Sequence, residues 1–462
     1  MADAIADVAR HVVGTRFEDL PAETVATTRR LVLDAIGVGL AGARGQWADE
    51  LLRCAVGWGG AGPCHVFGRA ERLPAPVAAL LNACQIHNSE FDSLHEKAVV
   101  HALTGTLPAA LAAAEVQGGV SGRHLIEAVV VGVDVACAIG LAARSPMTYF
   151  RPGVANGFGA TAAVGKLLGL DEERLVAAFG ACFAQSCGSM QAHEEGSMLL
   201  ALQIGFNTRN ALQACDLAAA GLQSTTNVLE GRFGYFRLFE DASDPAPVVA
   251  ALGQVRRIDE MSQKPFPCGR ATHGPIEALL RLQAHHGFAP EEIETVVLSL
   301  TPVAHGLVGR PPRAGMEANY ARLCLSYCAA RVLVTGGLTM RDFEPEALAD
   351  EATCRIAATI RLQMLDGAGI DAFAPSSARI ELTDGRCLEE TVADSLGHPR
   401  HPLTPSRHLD KFRGNCARVE TLLQVGAADR LIEAVGRLQD VPDVAEIMQL
   451  ATPPRRGKPR GP

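Results

Sequence analysis

The chain has 462 residues, 48% hydrophobic but only 5% aromatic, with 46 glycines. That length implies about two or three folding units, and an alanine- and glycine-rich composition favours close-packed helices over an aromatic-rich β-sandwich. A net charge of −9 with no basic stripe through the folded region excludes a nucleic-acid-binding surface, so a local group of cations would mark an anion site. The 13 cysteines form no CxxC pair, which argues against structural zinc; their odd number and the lack of a signal peptide give the expectation of a reducing cytoplasm.

From residue 2 to about residue 221 the chain reads as successive helices with joints marked by glycine or proline. Residues 21–43 are one: Asp19 precedes it, Pro21 falls near the first turn, and Val25, Thr28, Leu31, Ala35 and Val38 recur at helical spacing. A polar stretch follows, His87-Asn88-Ser89-Glu90-Phe91-Asp92-Ser93-Leu94-His95-Glu96-Lys97, and then His101. Its imidazoles and carboxylates titrate or coordinate near neutral pH, so it is a candidate for acid–base work or metal binding as well as for a solvated loop. The HxxxH and HExxH zinc spacings are absent, and His193-Glu194-Glu195 lacks a second histidine.

Another helix is expected from Pro108 through an alanine run. Residues 125–143 are strongly apolar, yet Glu127 and Asp134 within them favour a buried helix over a membrane span, and no membrane partner is expected. The glycines of residues 153–159 lack the Lys-Ser/Thr of a phosphate loop and follow no strand, which excludes nucleotide binding there. No Gly-x-Ser-x-Gly elbow anchors a hydrolase triad.

The segment Lys264-Pro265-Phe266-Pro267-Cys268-Gly269-Arg270-Ala271-Thr272-His273 gathers a lysine, an arginine, a thiol and an imidazole. The prolines hold its first half extended, Thr272 is an expected N-cap, and Pro275 falls in the first turn. His273 would then stand at a helix N-terminus, where backbone N–H groups favour anions and disfavour imidazolium. A helix-capping surface turn would have the same pattern.

After His273 the character changes. Residues 293–300 alternate and are β-branched, and residues 378–383 and 386–392 flank Asp384-Gly385 as a hairpin. Helices near 274–287 and 318–335 interrupt these strands, and helices return at about 409–425 and 428–438. The expected fold is mainly α: a large all-helical domain (1–264, rejoined by helices in 401–450) with a smaller α+β lid-like domain, 265–400, inserted before the C-terminal helices. The Pro/Gly-rich basic residues 451–462 are expected to form a disordered tail.

Five separated blocks, residues 87–115, 157–171, 229–234 and 264–273 and the region of Tyr327, occur in an order that resembles the MmgE/PrpD family over roughly residues 5–440. That family includes 2-methylcitrate dehydratase, cis-aconitate decarboxylase and iminodisuccinate epimerase. The resemblance implies a helical domain, a lid-like α+β domain, a homodimer, and an inter-domain cleft that handles small polycarboxylates without metal or organic cofactor.

Where the family has Asp-Phe-Asp-Asp-Thr-His, this chain has Glu90-Phe91-Asp92-Ser93-Leu94-His95. His101 matches the histidine of a His-Pro pair, with Ala102 in place of the proline; Lys264, Arg270 and His273 align with Lys-Pro-Tyr-Pro-Cys-Cys-Arg-x-x-His; Tyr327 matches the family's tyrosine. Phe150-Arg151-Pro152 stands where decarboxylase-like members have His-Pro-Thr, and Leu200 where they have a substrate-facing lysine. Losing that lysine removes a charge-assisted hydrogen bond of about 1.5–3 kcal/mol. Arg151 is a candidate to restore one positive charge.

The resemblance implies His101 and His273 as base and acid, in either order, and Tyr327 as donor to a leaving or developing oxyanion. Lys264 and Arg270 would hold carboxylate, while Glu90 and Asp92 orient the histidines. Two functional readings result. One is a cofactor-independent lyase or isomerase moving a proton beside a carboxylate, with a substrate less anionic or more apolar than cis-aconitate. The other is a catalytically inactive family member that binds or scaffolds.

Overall fold

Small side chains set the spacing of the first core. The helices Gly122–Ala142 and Arg151–Leu167 cross at Gly132 and Gly159, where a Cβ on Gly132 would lie 2.4 Å from Thr106 Cγ2 and one on Gly159 would lie 2.6 Å from the Gly132 carbonyl oxygen. Only glycine permits that approach, and it lets the helices Ala75–His87, Ala102–Gln117 and Leu199–Ala219 pack around the pair. The computed structural model describes residues 3–365 and 373–454. Within them the protein is mainly α-helical.

The Gly122–Ala142 helix is the one helix among the described residues long and apolar enough to cross a membrane, but 89% of its most apolar window is buried inside the protein. Its Asp134 lies 3.0 Å from His11 Nε2 and accepts the Arg257 backbone N–H at 2.8 Å. The alanine-run helix begins at Ala102 rather than at Pro108, which lies inside it. Asn156 Oδ1 accepts the Gly105 N–H at 2.7 Å and secures the earlier turn.

The helices Pro405–Ala417 and Ala427–Gly436 share this core through Phe412, Leu431 and Val435. The first of them starts and ends earlier than residues 409–425, because Thr404 caps it by accepting the Arg407 N–H. Lys411 on this helix donates to Asp34 Oδ1 at 2.8 Å and to the Phe91 carbonyl at 2.9 Å, tying three distant stretches together. Ala451 and Thr452, expected within a disordered tail, are buried. The basic residues from Arg455 onward lie outside the described residues.

Strands are few. Cys64–His65 (β1) and Arg72–Leu73 (β2) make a short antiparallel pair that periodicity did not reveal. Ile293–Leu300 (β3), Ile360–Met364 (β4), Ser376–Leu382 (β5) and Cys387–Val392 (β6) form a sheet of order β4-β3-β5-β6, in which only the β3–β4 pairing is parallel. Alternation explains the register: Val296, Leu298 and Leu300 of β3 and Ala378, Ile380 and Leu382 of β5 face one core, on which the helix His273–His286 packs. The strand β4 went unread although Ile360, Leu362 and Met364 alternate with Arg361 and Gln363: it is only five residues long and follows the helix Glu351–Thr359 without a turn signal between them.

The expected helix 318–335 is broken into Ala318–Ala321 and Leu325–Thr335. Arg322 O accepts the Gly269 N–H and Cys324 bridges to Gly309, so the backbone turns at residues 322–323 and is extended at Cys324, which sets Leu323 in the wall of the cavity described next.

Candidate active site

The turn between the helices Ala75–His87 and Ala102–Gln117 carries the polar stretch, and it is almost wholly buried. Glu90 and Val99 both adopt positive φ, 53° and 51°, a strained conformation for side chains of their size. Lys264, with no exposed surface, restrains the first of them: its amine donates to the Glu90 carbonyl at 3.0 Å and to Glu90 Oε2 at 2.9 Å.

Asp92 is the hub. Its Oδ2 pairs with His87 Nδ1 at 2.9 Å, accepts the Thr104 hydroxyl at 2.5 Å, and lies 3.0 Å from His101 Nδ1. The His101 approach is close but poorly aligned for a hydrogen bond, whereas the His87 bond is well aligned. The two rings meet edge to face with centroids 4.7 Å apart.

Electrostatics divide this pair. His87 holds its proton more tightly than a free imidazole: burial works against the charge, but Asp92 and Glu90 outweigh it. His101 is pushed the other way, chiefly by burial and also by Lys264, although Asp92 opposes the shift. His101 also immediately precedes a helix, whose N-terminal dipole disfavours imidazolium. Burial alone would raise both carboxyl groups, yet Lys264 and the histidines bring Glu90 down to about 2, and the two histidines bring Asp92 well below the usual range. The cluster is thus built around two carboxylates, one ammonium, a His87 of raised proton affinity and a His101 of lowered proton affinity.

Above it lies a cavity whose walls include His87, Glu90, His101, His193 and Arg270. Most of the remaining wall is apolar: Leu94, Val99, Met147, Phe150, Met190, Leu200, Leu307, Val308 and Leu323. Leu94, Phe150 and Leu200, the three positions where the sequence departs from the decarboxylase pattern, all face this space.

The structure brings His101, Glu90 and Arg270 to the cavity, with Asp92 and Lys264 directly beneath; it does not bring the other expected residues there. Arg151 belongs to a different arrangement, in which its guanidinium donates to Glu240 Oε1 and Oε2, each at 2.8 Å, and to the Ser145 carbonyl. Glu240 is itself buried and also accepts the Tyr235 hydroxyl, so Arg151 answers an internal carboxylate and not a substrate. Tyr327 is buried in a small cluster with Cys268 and Phe343, its hydroxyl donating to the Asp342 carbonyl. Burial pushes that phenol up, so the hydroxyl stays protonated and is spent on Asp342.

His273 begins its helix as expected, but it is only 1% exposed and is absent from the cavity wall. Its Nε2 faces Cys268, 3.5 Å from Sγ and 3.3 Å from the carbonyl oxygen, and Nδ1 lies 3.4 Å from Arg270 Nη1. Thr272 does not cap the helix; its hydroxyl donates to the Gly269 carbonyl. Arg270 reaches the cavity with its donors committed, Nε to Glu96 at 2.8 Å, Nη1 to the Leu396 carbonyl at 2.7 Å and Nη2 to the Ser395 carbonyl at 3.1 Å.

Sequence reasoning gave no role to His87 or His193. His87 lay inside the conspicuous polar stretch; His193 stood out only as half of a zinc pattern. A metal is a fair alternative to test, because His87, Asp92 and His101 offer ligand atoms within 4.8 Å of one another. Lys264 Nζ lies 3.8 Å from Asp92 Oδ1, so an ammonium already neutralises this carboxylate, and the donor set fits a proton network better than a cation.

A mainly helical protein with an appended α+β unit and a buried two-histidine, two-carboxylate cluster under a cavity is the class that fold and site define. Residues 6–247 match the MmgE/PrpD N-terminal domain and residues 266–438 the MmgE/PrpD C-terminal domain, and the chain belongs to this family. It is 29% identical to the cis-aconitate decarboxylase of Aspergillus terreus (strain NIH 2624 / FGSC A1156), over 93% of each chain. It is also 29% identical to the cis-aconitate decarboxylase-like protein oryM of Aspergillus oryzae, over 96% of each, and 24% identical to the cis-aconitate decarboxylase of Homo sapiens, over 96% of this chain and 93% of the human one.

Proposed function

We propose that this chain is a cofactor-independent lyase or isomerase that moves a proton next to the carboxylate of a small substrate, by dehydration, decarboxylation or epimerisation. The observation that carries this reading is the state of His101: set in the cavity wall, depressed in basicity, with Nδ1 3.0 Å from Asp92 Oδ2. A neutral imidazole held that way offers Nε2 as base. When it takes a proton from carbon, Asp92 stabilises the imidazolium that forms, and the C–H electron pair passes into the carboxyl-bearing fragment. His87, raised in proton affinity and sharing Asp92 Oδ2, is placed to keep the hub's charge balanced as His101 changes state.

The apolar wall supports a second part of the proposal, that the protein is not an efficient cis-aconitate decarboxylase. Leu94, Phe150 and Leu200 give no charge to a carboxylate stripped of water, and an unpaired buried charge costs several kcal/mol, each 1.4 kcal/mol being about tenfold in rate. The competing reading, an inactive member that binds or scaffolds, draws support from these same losses. A panel of hydroxy-, amino- and unsaturated carboxylates incubated with the protein in D2O separates the two by NMR. Incorporation of deuterium next to a carboxylate supports the enzyme; its absence across the panel supports the scaffold. Itaconate formation from cis-aconitate at about 10⁴ M⁻¹s⁻¹ or more would contradict the second part.

A further inference from the structure

The cavity contains one polar feature that the proton-transfer cluster does not use. His193 forms part of its wall, and Arg310 lies against it: Arg310 Nη2 donates to the His193 carbonyl at 2.6 Å and sits 3.3 and 3.4 Å from the two ring nitrogens. Burial first, and then the charge of Arg310, push the His193 imidazole down to about 4, so the ring is neutral at ordinary pH. The guanidinium itself stacks on Tyr320, 4.9 Å from the ring centroid.

Two facts distinguish Arg310 from Lys264 and Arg270. Lys264 and Arg270 each have a carboxylate partner, Glu90 and Glu96 respectively. Arg310 has no carboxylate within ion-pair distance among the described residues, and its Nη1 is buried without a hydrogen-bond partner. Arg310 is half-buried and stands behind His193 rather than in the wall itself, with Glu90 and Glu194 acting on it only from beyond ion-pair distance, so the buried Nη1 donor is left to be answered.

We propose that Arg310 and His193 form the carboxylate anchor of this cavity, and that its ligand is a monocarboxylate whose apolar body lies along Leu94, Phe150, Leu200 and Val308. This deepens the reading of the cavity as the substrate site and rests on it. One guanidinium next to a wall histidine matches one carboxylate; Arg322, which also lacks an ion pair among the described residues, directs Nη1 to the Asn88 carbonyl at 3.2 Å and to Asn319 Oδ1 at 3.3 Å. A second or third carboxylate would lie on leucine and phenylalanine with its charge uncompensated, as the apolar wall dictates. Val308 and Leu307 precede Arg310 in the chain and contribute apolar wall next to the anchor, so head and body of such a ligand would be read by adjacent residues.

Titration calorimetry with three probes tests the anchor without requiring turnover: trans-2-hexenoate, its uncharged amide, and tricarballylate. With charge-assisted hydrogen bonds of this kind, trans-2-hexenoate is expected to bind about ten- to a hundredfold more tightly than either other probe. Arg310→Gln should remove most of that advantage over the amide while leaving amide affinity in place. Leu200→Lys, a change at the cavity surface that also covers the case of an unstable Arg310→Gln protein, should tighten tricarballylate about tenfold or more. Binding of tricarballylate to the parent as tightly as trans-2-hexenoate would overturn the proposal. So would an equal loss of acid and amide in Arg310→Gln, or no binding of trans-2-hexenoate. Discriminating binding without deuterium exchange would support the anchor and count against the proton-transfer reading, so the two can fail separately.

Discussion

Two segments of this chain collect the same kinds of side chain and use them differently. Residues 87–101 and 264–273 each bring histidine together with charged groups, and residues 264–273 have the more catalytic composition because lysine, arginine, cysteine and histidine crowd into ten positions. In the folded protein residues 87–101 supply His87, Glu90 and His101 to the cavity, while residues 264–273 mostly face inward. Lys264 pins the strained Glu90, Arg270 pins residues 395 and 396, and His273 rests on Cys268. Motif density therefore marks where a site is braced as readily as where it reacts. What separates the roles is which groups have their hydrogen-bonding capacity already spent.

The sharpest way to break that distinction is Lys264→Met. It strands Glu90 and weakens the neutralisation of Asp92 in a fully buried setting, so a loss of about 3–5 kcal/mol in unfolding free energy is expected by denaturant titration. A loss below about 1 kcal/mol would mean that the pair is solvated and the bracing role misassigned. Packing of the first core gives the next effect. Gly159→Val forces a side chain onto the Gly132 carbonyl, and destabilisation of about 1–3 kcal/mol should appear in the same titration.

The state of His101 predicts a pH dependence. Its folded basicity is depressed, so the neutral, proton-accepting form persists below the ordinary imidazole value of about 6.5. Solvent exchange should hold constant as pH falls through about 6.5 and decline only at lower pH. A decline starting above about pH 7 would place the controlling proton on a group with raised affinity, such as His87.

Smaller effects sharpen the comparison from the other side. Tyr327→Phe removes one buried hydrogen bond and should cost about 1 kcal/mol of stability while leaving exchange rates within a few-fold. EDTA should leave both melting temperature and exchange unchanged, because Lys264 already serves the carboxylate a metal would need. A melting temperature lowered by chelator would identify the His87, Asp92 and His101 group as a metal site instead.

Much of the fold was legible because it depends on local pattern. The strand Ile293–Leu300 and the hairpin around Gly385 announced themselves by alternation and a tight turn, and the helix Ala22–Gly42 by its apolar period. Pairings across long separations were not legible. Arg151 could be judged free only while Glu240, 89 positions away, was out of sight. Tyr327 had to be placed against Asp342, and His193 against Arg310, 117 positions on, before either could be assigned to structure or to the cavity. The helix 318–335 broke for a similar reason, since Gly269 claims the Arg322 carbonyl.

The most direct test compares two single substitutions, His101→Gln and His273→Gln, for deuterium incorporation into a carboxylate that the parent protein exchanges, with melting temperatures recorded alongside. If His101 is the proton-transfer group and His273 a buried brace, His101→Gln should lower the rate by about 10²–10⁴ while leaving the fold intact. His273→Gln should change the rate by less than about tenfold, with its main effect on stability. The opposite result, exchange surviving in His101→Gln and abolished in a well-folded His273→Gln, would contradict the assignment of chemistry to residues 87–101.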